Sequence, residues 1–314
     1  MAKMIRKRLV SLVIILLGLS ILTFGLTYLL PSNPVEELIT AMGAGHDPET
    51  IARLEEKYGT SRPFYVQYWD WLRGILRGDF GVSIKYNGRP VKDVIGEKLP
   101  HTVQLAVCSF ALMILISFPL GILSAVYKDR LADYVIRFLS FIGVSIPSFW
   151  FGMMLIWLLA VRLHWLPVSG SSSWKHIVMP TLTLSVGMSA YYVRRIRAVM
   201  VEQLSNEYIA GLKSRGVSKR RIIWRHVLPN SLLAVVTMLG MSFGGLLGGT
   251  MIVETVFSWN GIGKVCVEAI SARDYQLIQG YVLWMGFIYV IVNLLVDISY
   301  SFIDPRIRRG MEAK

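Results

Sequence analysis

The stretch EYIAGLKSRGVSKRRIIWRHVLP, Glu207 to Pro229, decides how the rest of the chain is read. It is short, polar and basic, and it lies between two long apolar runs. Gly216 is placed to take the left-handed conformation that ends a helix running from about Asn206 to Arg215. Ser218 is a natural N-cap for a second helix over Lys219 to Val227, after which Pro229 and Asn230 lead into the next apolar run. Tyr208, Ile209 and Leu212 are spaced to share one helical face. Two readings fit these residues: a basic amphipathic helix resting on anionic lipid, or a lever gripped by a cytoplasmic motor. A DNA-reading helix-turn-helix is disfavoured on a chain anchored in a membrane.

That anchoring follows from composition. Hydrophobic residues make up 54% of the 314 residues, and the mean hydropathy is +0.52, too apolar for a soluble chain of this length. A hydrocarbon core of about 30 Å needs about 20 helical residues to cross it. Six stretches qualify: Leu9 to Leu30, Thr102 to Tyr127, Tyr134 to Val161, Ile177 to Val193, Ser231 to Val253, and Gly280 to Ile303. The fourth is the weakest, because Pro180 interrupts it and Arg194, Arg195 and Arg197 close it. The expected fold class is therefore all-α, a polytopic membrane protein with six transmembrane helices. The first run carries a basic front of Lys3, Arg6, Lys7 and Arg8, but it is longer than a signal-peptide core and no small-residue cleavage site follows, so it reads as a retained helix. Cys108 and Cys266 indicate neither a disulfide framework nor a thiolate metal site.

Orientation follows from the basic residues, which favour cytoplasmic loops. The N-terminus, the turn around Lys128, the stretch Arg194 to Arg225 and the C-terminus hold 20 of the 33 Lys and Arg residues, against 6 acidic ones. Both termini and the hairpin are thus expected in the cytoplasm, and the formal charge of +13 reflects topology, not a nucleic-acid partner. The expected organisation is a cytoplasmic N-terminus and first span over 1–30, an extracytoplasmic segment over 31–98, and a five-helix core over 99–303. The coupling hairpin occupies 205–229 and a cytoplasmic tail 304–314. In the outer segment, Pro48 to Tyr58 reads as a short helix capped by Asp47 and ended by Gly59. A second helix, Pro63 to Leu76, carries a dense set of rings: Phe64, Tyr65, Tyr68, Trp69 and Trp71. Those rings suit either the headgroup level of the membrane or a docking surface for an extracytoplasmic partner.

With these residues in hand, the chain resembles the permease subunits of bacterial ATP-binding-cassette importers. Gly216 with Leu228 and Pro229 matches their cytoplasmic motif, and the likeness extends through FLSFIGVSIPSFW at 138–150, LPVSG at 166–170, WKHIVMPTLTLS at 174–185, GGTMIVETVFSW at 248–259 and DPRIRRG at 304–310. The dipeptide, oligopeptide and nickel branch looks closest, and within it the nickel type. Departures exist. The motif's Glu is Ala210, its Ile is His226, and two customary prolines of the last outer loop are Asn260 and Gln276.

The resemblance implies a type I permease fold in a bacterial inner membrane. It also implies a second homologous permease, two cytoplasmic ATPase subunits that carry the ATP and Mg, and an extracytoplasmic solute-binding protein, with lipid around the helices. No cofactor is expected on this chain, which is read as a transport subunit and not an enzyme: no phosphate-binding Gly-rich loop is present, since Gly261-Ile-Gly263-Lys264 lacks the first Gly. The expected ATPase-coupling residues are Tyr208, Leu212, Arg215, Gly216, Arg220, Leu228 and Pro229.

For the translocation path, polarity inside a span is the clue. Asp297 lies nine residues before Arg306, about 13 Å along a helix, and a charge near mid-bilayer costs roughly 2.5–3.5 kcal/mol. It should face the bundle, bonded to a neighbouring span or to Asn293 one turn away, or touch cargo. His101 and Gln104 sit at the outer mouth of the second span. Imidazole suits nickel, but no two of His101, His164 and His176 lie at i and i+4, so no metal site can be assigned. The expected function is a permease for nickel, free or chelated. The alternative is a dipeptide or oligopeptide permease of the same architecture. A self-sufficient secondary transporter comes third, because no proton-relay carboxylate pair appears and the hairpin would be unexplained.

Overall fold

The computed structural model describes residues 2–29 and 62–303. The expected helix at Pro48 to Tyr58 and the tail at 304–314 lie outside those residues. The chain divides into two compact units, Met1–Thr102 with Asn260–Ile291, and Val103–Trp259 with Val292–Lys314.

In the first unit, α1 (Ala2–Leu29) is joined by α2 (Phe64–Leu76), which forms where the ring-rich stretch was expected. Rings at i, i+4 and i+7 of α2 turn to α1: Phe24 lies 5.5 Å from Phe64 and 5.3 Å from Trp71, and Ser20 Oγ is 2.8 Å from the Tyr68 hydroxyl. Half of the expected lipid or partner face is thus spent on an intramolecular contact, leaving Tyr65 and Trp69 exposed. Next come two short antiparallel strands, β1 (Val82–Ser83) and β2 (Arg89–Pro90), in a part of the outer segment for which the sequence predicts no element. They lead into α3 (Val91–Val126). After the second unit the chain returns as α11 (Ile262–Ser271) and the start of α12 (Tyr275–Ile303). Thr102 is buried, and its hydroxyl accepts the free N–H of Ile262 at 2.8 Å, capping the first turn of α11 from another segment.

In the second unit, α4 (Leu131–Ser145) and α5 (Ser148–Leu155), which continues as a π turn over Ile156–Arg162, occupy the expected third span. They do not form one straight helix; the two pieces bend by 100° at the break. Pro147 lacks an N–H and drives Ile146 into an extended conformation, φ −82 and ψ 124. The expected fourth span also needs correction. The helix α6 (Trp174–Ser205) runs for 32 residues, through Pro180 and past the three arginines. Pro180 costs it one backbone bond, while the charge of Arg197 is neutralised within the fold. Glycine at 143 permits close packing of α4 on α6: a Cβ there would sit 2.8 Å from that of Ala190.

The remaining elements are α7 (Glu207–Ser214), α8 (Lys219–Ile222), a π turn over Ile223–Val227, α9 (Leu228–Gly249) and α10 (Met251–Val256). The expected fifth span therefore starts and ends a few residues early. One apolar cluster unites α7, α8, the π turn and α9 with α3 and α6, built on Met113, Tyr192, Ile196, Met200, Ile209, Ile222, Val227 and Val235; Val253 of α10 packs instead with Ala160, Met179 and Phe257. The Tyr192 hydroxyl donates to the Met238 carbonyl at 2.8 Å, so the cluster buries no unsatisfied phenol. Among the described residues three helical stretches are long and apolar enough to cross a membrane, Val10–Leu29, Val91–Val126 and Tyr275–Val296, or four with the bent pair as one span. The helices α6 and α9, 32 and 22 residues long, lie where the fourth and fifth were expected.

Candidate coupling site

The hairpin folds as its residues dictate. Gly216 takes φ +74, the Gly216 N–H donates to Lys213 O at 3.0 Å, and the Val217 N–H reaches Leu212 O at 3.1 Å. This is the two-bond Schellman closure, in which Val217 and Leu212 bring their side chains together against the apolar cluster. The first helix, Glu207–Ser214, is within a residue of the expected bounds. Ser218 stands at the start of α8 in an extended conformation, but its hydroxyl makes no capping bond. The second helix departs from expectation at Ile223, where a π turn begins and the Leu228 N–H bonds Ile223 O, five residues back. Pro229 has no N–H to give; seated in the first turn of α9 it costs no bond there, and the wider turn before it carries the helix onward without a break.

The two faces of the hairpin have different jobs. Ile209, Ile222 and Val227 are at most 1% exposed and plug into the apolar cluster, with Leu212 and Leu228 packed at its edge. Tyr208, Lys213, Arg215, Gly216, Arg220 and Pro229 are exposed. Tyr208 therefore does not share a buried face with Ile209; successive residues lie about 100° apart around a helix. Its hydroxyl instead donates to Gln203 Oε1 at 3.3 Å and accepts from Asn230 Nδ2 at 3.4 Å, stapling the end of α6 to the head of α9.

Near the end of α6, which leads into the hairpin, lies a group that the sequence does not reveal. Asp133 is fully buried, and its carboxylate accepts Arg197 Nε and Nη2, both at 2.7 Å, the Ser124 hydroxyl at 2.6 Å and the Asp129 N–H at 3.0 Å. The fork of Arg197 meets both carboxylate oxygens, the geometry that makes such pairs strong. Three segments, the end of α3, the head of α4 and α6, are thereby locked together eight residues before α6 reaches Ser205. The one available sequence signal was an acidic residue opening an apolar run in a basic turn.

The expected path residues lie on two helices, α3 and α12. His101 is half-buried and Gln104 exposed on α3, while Asn293 is half-buried on α12 and Asp297 follows it by four residues on the same helix. His176 accepts the Ser173 N–H on Nδ1 at 3.2 Å, and so serves the start of α6; His164 occupies a left-handed turn, φ +54. Among the described residues no three His, Cys, Asp or Glu side chains gather where they could hold a metal ion.

Comparison with known proteins decides what this arrangement belongs to. The family described as the binding-protein-dependent transport system inner membrane component matches residues 117–309, and its N-terminal counterpart matches residues 1–106. The chain belongs to this permease family. Glutathione transport system permease protein GsiC of Salmonella typhi is 36% identical over 308 residues, covering 98% of this chain and 99% of the relative. GsiC of Escherichia coli is 35% identical over 302 residues, with 96% and 97% covered. Among solved structures, the inward-facing MetNI methionine ABC transporter superposes with a TM-score of 0.57 at 15% identity, over 67% of this permease and 96% of that chain. An amino acid ABC transporter superposes at 0.53 with 14% identity, over 68% and 94%. The permease is thus a multi-pass inner-membrane subunit of an ABC importer, all-α in fold and a transport component, not an enzyme. Its resemblance to the peptide branch holds; closeness to the nickel type has no counterpart in these relatives.

Proposed function

We propose that this permease forms half of the translocation pathway of an ATP-driven importer for short peptides of dipeptide to glutathione size. One observation carries the reading: end-to-end likeness, 36% over 98% of the chain, to permeases of glutathione transport systems. This favours the alternative of the sequence reading over nickel. The working assembly is this chain, a second homologous permease, two ATPase subunits holding ATP and Mg, and an extracytoplasmic binding protein. The termini and the hairpin face the cytoplasm, in keeping with the 20 basic residues gathered there.

In this reading the hairpin is a lever with a gripping side and a fixed side. The ATPase takes hold of the exposed Tyr208, Arg215, Gly216 and Arg220, with Leu212 closing the turn between the two helices and Leu228 and Pro229 setting the entry into α9. The buried Ile209, Ile222 and Val227 tie the lever to the cluster shared with α6 and α9, so a push on the hairpin moves those helices with it. His101, Gln104, Asn293 and Asp297 are the residues assigned to the pathway.

The test is ATP-dependent uptake into proteoliposomes holding the full assembly, comparing labelled glutathione and a labelled dipeptide with radioactive nickel, with and without a small chelator. Peptide uptake indifferent to nickel is expected, and nickel uptake that peptides fail to compete overturns the cargo reading. For the lever, Gly216→Val places a β-branched residue at φ +74, a conformation costing a non-glycine residue about 1–2 kcal/mol. ATP hydrolysis without uptake is expected from that variant, and wild-type uptake would refute the role.

A further inference from the structure

We propose that the cleft between α4 and α6 is a binding site for an anionic phospholipid, with Arg137 and Arg194 taking the headgroup phosphate and Phe138 and Phe141 the acyl chains. The cleft measures about 510 Å³ and is lined by Tyr134, Arg137, Phe138, Phe141, Arg194 and Arg197. Its composition is divided by depth. Tyr134 lies near the start of α4 and Phe141 seven residues further, about 10 Å along the axis, the distance from headgroup to upper acyl chain. Phe138 and Phe141 are 64% and 65% exposed, large rings with no protein cover on this chain. On the facing helix, Arg194 sits one turn from Arg197.

The charge balance points to an anion. Arg197 is committed to Asp133, and that ion pair cancels itself. Arg137 lies with its guanidinium 5.8 Å from the Tyr134 ring, and neither it nor Arg194 is paired with a carboxylate among the described residues. Two uncompensated guanidiniums above two exposed rings, at the basic end of a membrane helix pair, match a phosphodiester with acyl tails. A free phosphate would use the arginines and leave the rings without purpose. The site depends on membrane residence and not on whether the cargo is peptide or nickel. By fixing lipid against α4 and α6, it would make the lock at Asp133 responsive to bilayer charge.

The test is native mass spectrometry of the assembled importer titrated with phosphatidylglycerol, with phosphatidylcholine of the same chains, and with glycerol 3-phosphate. Phosphatidylglycerol should be retained selectively, and glycerol 3-phosphate should not displace it. Arg137→Gln with Arg194→Gln should weaken phosphatidylglycerol about thirtyfold, taking roughly 1 kcal/mol per basic residue near an anionic surface and 1.4 kcal/mol per tenfold. Lys128→Gln, outside the cleft, should change nothing. Phe138→Ala supplies a second variant, expected to weaken long-chain lipid more than short-chain lipid. Equal retention of both lipids, equal binding by the arginine variant, or full displacement by glycerol 3-phosphate would overturn the proposal. So would efficient cross-linking of Phe138→Cys to the second permease, because the cleft would then be a subunit contact.

Discussion

Two buried carboxylates hold distant parts of this permease together, and they do so by different means. Asp133 joins residues 64 positions apart through the charged fork of Arg197. Asp274 joins residues 191 apart with neutral donors: the Ser83 hydroxyl at 2.5 Å and the Lys85 N–H at 3.1 Å, while its other oxygen caps α12 through the Leu277 N–H at 3.2 Å. The first ties α3 and α4 to α6, the helix that leads into the coupling hairpin; the second fixes the β-ribbon. A charge pair concentrates stabilisation in one partner, whereas a helix cap distributes it over several weaker bonds.

The largest effect should come from breaking the charged member. Asp133→Ala leaves Arg197 inside the fold without its counter-charge, and a loss of about 3 kcal/mol is expected in detergent-solubilised thermal or denaturant unfolding. Asp133→Leu combined with Arg197→Met should recover most of that loss, because two apolar groups leave no uncompensated charge. A double variant as unstable as the single one would show that the pair contributes more than self-neutralisation.

Asp274→Ala tests the distributed member. It removes a helix cap worth about 1 kcal/mol and side-chain bonds of similar size, so about 2 kcal/mol should be lost. Protease sensitivity should rise first around Ser83 to Arg89, and an unchanged digestion pattern there would separate the carboxylate from the ribbon.

A smaller effect is expected beside it, at Tyr86, whose hydroxyl donates to Glu268 at 3.1 Å. Partial burial first, and the Glu268 carboxylate second, push the Tyr86 phenol up to about 12 from its ordinary 10.0. A raised value means the protonated phenol is the form the fold favours. Its contribution is complete below pH 10 and disappears as pH rises through about 12. Tyr86→Phe should lose about 1 kcal/mol at pH 8 and show a flatter stability profile between pH 10 and 12 than wild type. Parallel profiles would remove Tyr86 from the ribbon's support.

The smallest effect concerns Gln276, where relatives of the branch were expected to carry proline. Its Oε1 accepts the Val82 N–H at 2.7 Å, so the departure has become a ribbon contact. Gln276→Pro falls in the first turn of α12, where no N–H is required, and should cost about 1 kcal/mol or less. Helix content by circular dichroism should not move; a drop would mean α12 relies on that side chain.

Much of this was legible in the residues. Gly216 predicted the left-handed closure because few other residues take a positive φ cheaply, and the bounds of α7 followed from the same position. Pro63 to Leu76 was recognisable as a helix from its ring spacing, yet the partner of those rings, α1, was not, because ring spacing identifies a face without saying what covers it. The 100° bend at Pro147 was passed over because unbroken hydropathy is blind to backbone direction. Asp133 looked like one more charge in a loop, because its role depends on an arginine 64 residues away.

By itself the sequence determined what is local or additive: membrane residence from summed hydropathy, the closure of the hairpin from one glycine, and the family from end-to-end likeness. Only the tertiary structure decided what depends on pairing. It showed which face of the hairpin is fixed and which is free, that Tyr208 staples two helices, and that α6 runs past three arginines because Asp133 neutralises one of them. The physical reason is that a residue's solvation and charge compensation are set by neighbours distant in sequence, which no local pattern of residues encodes.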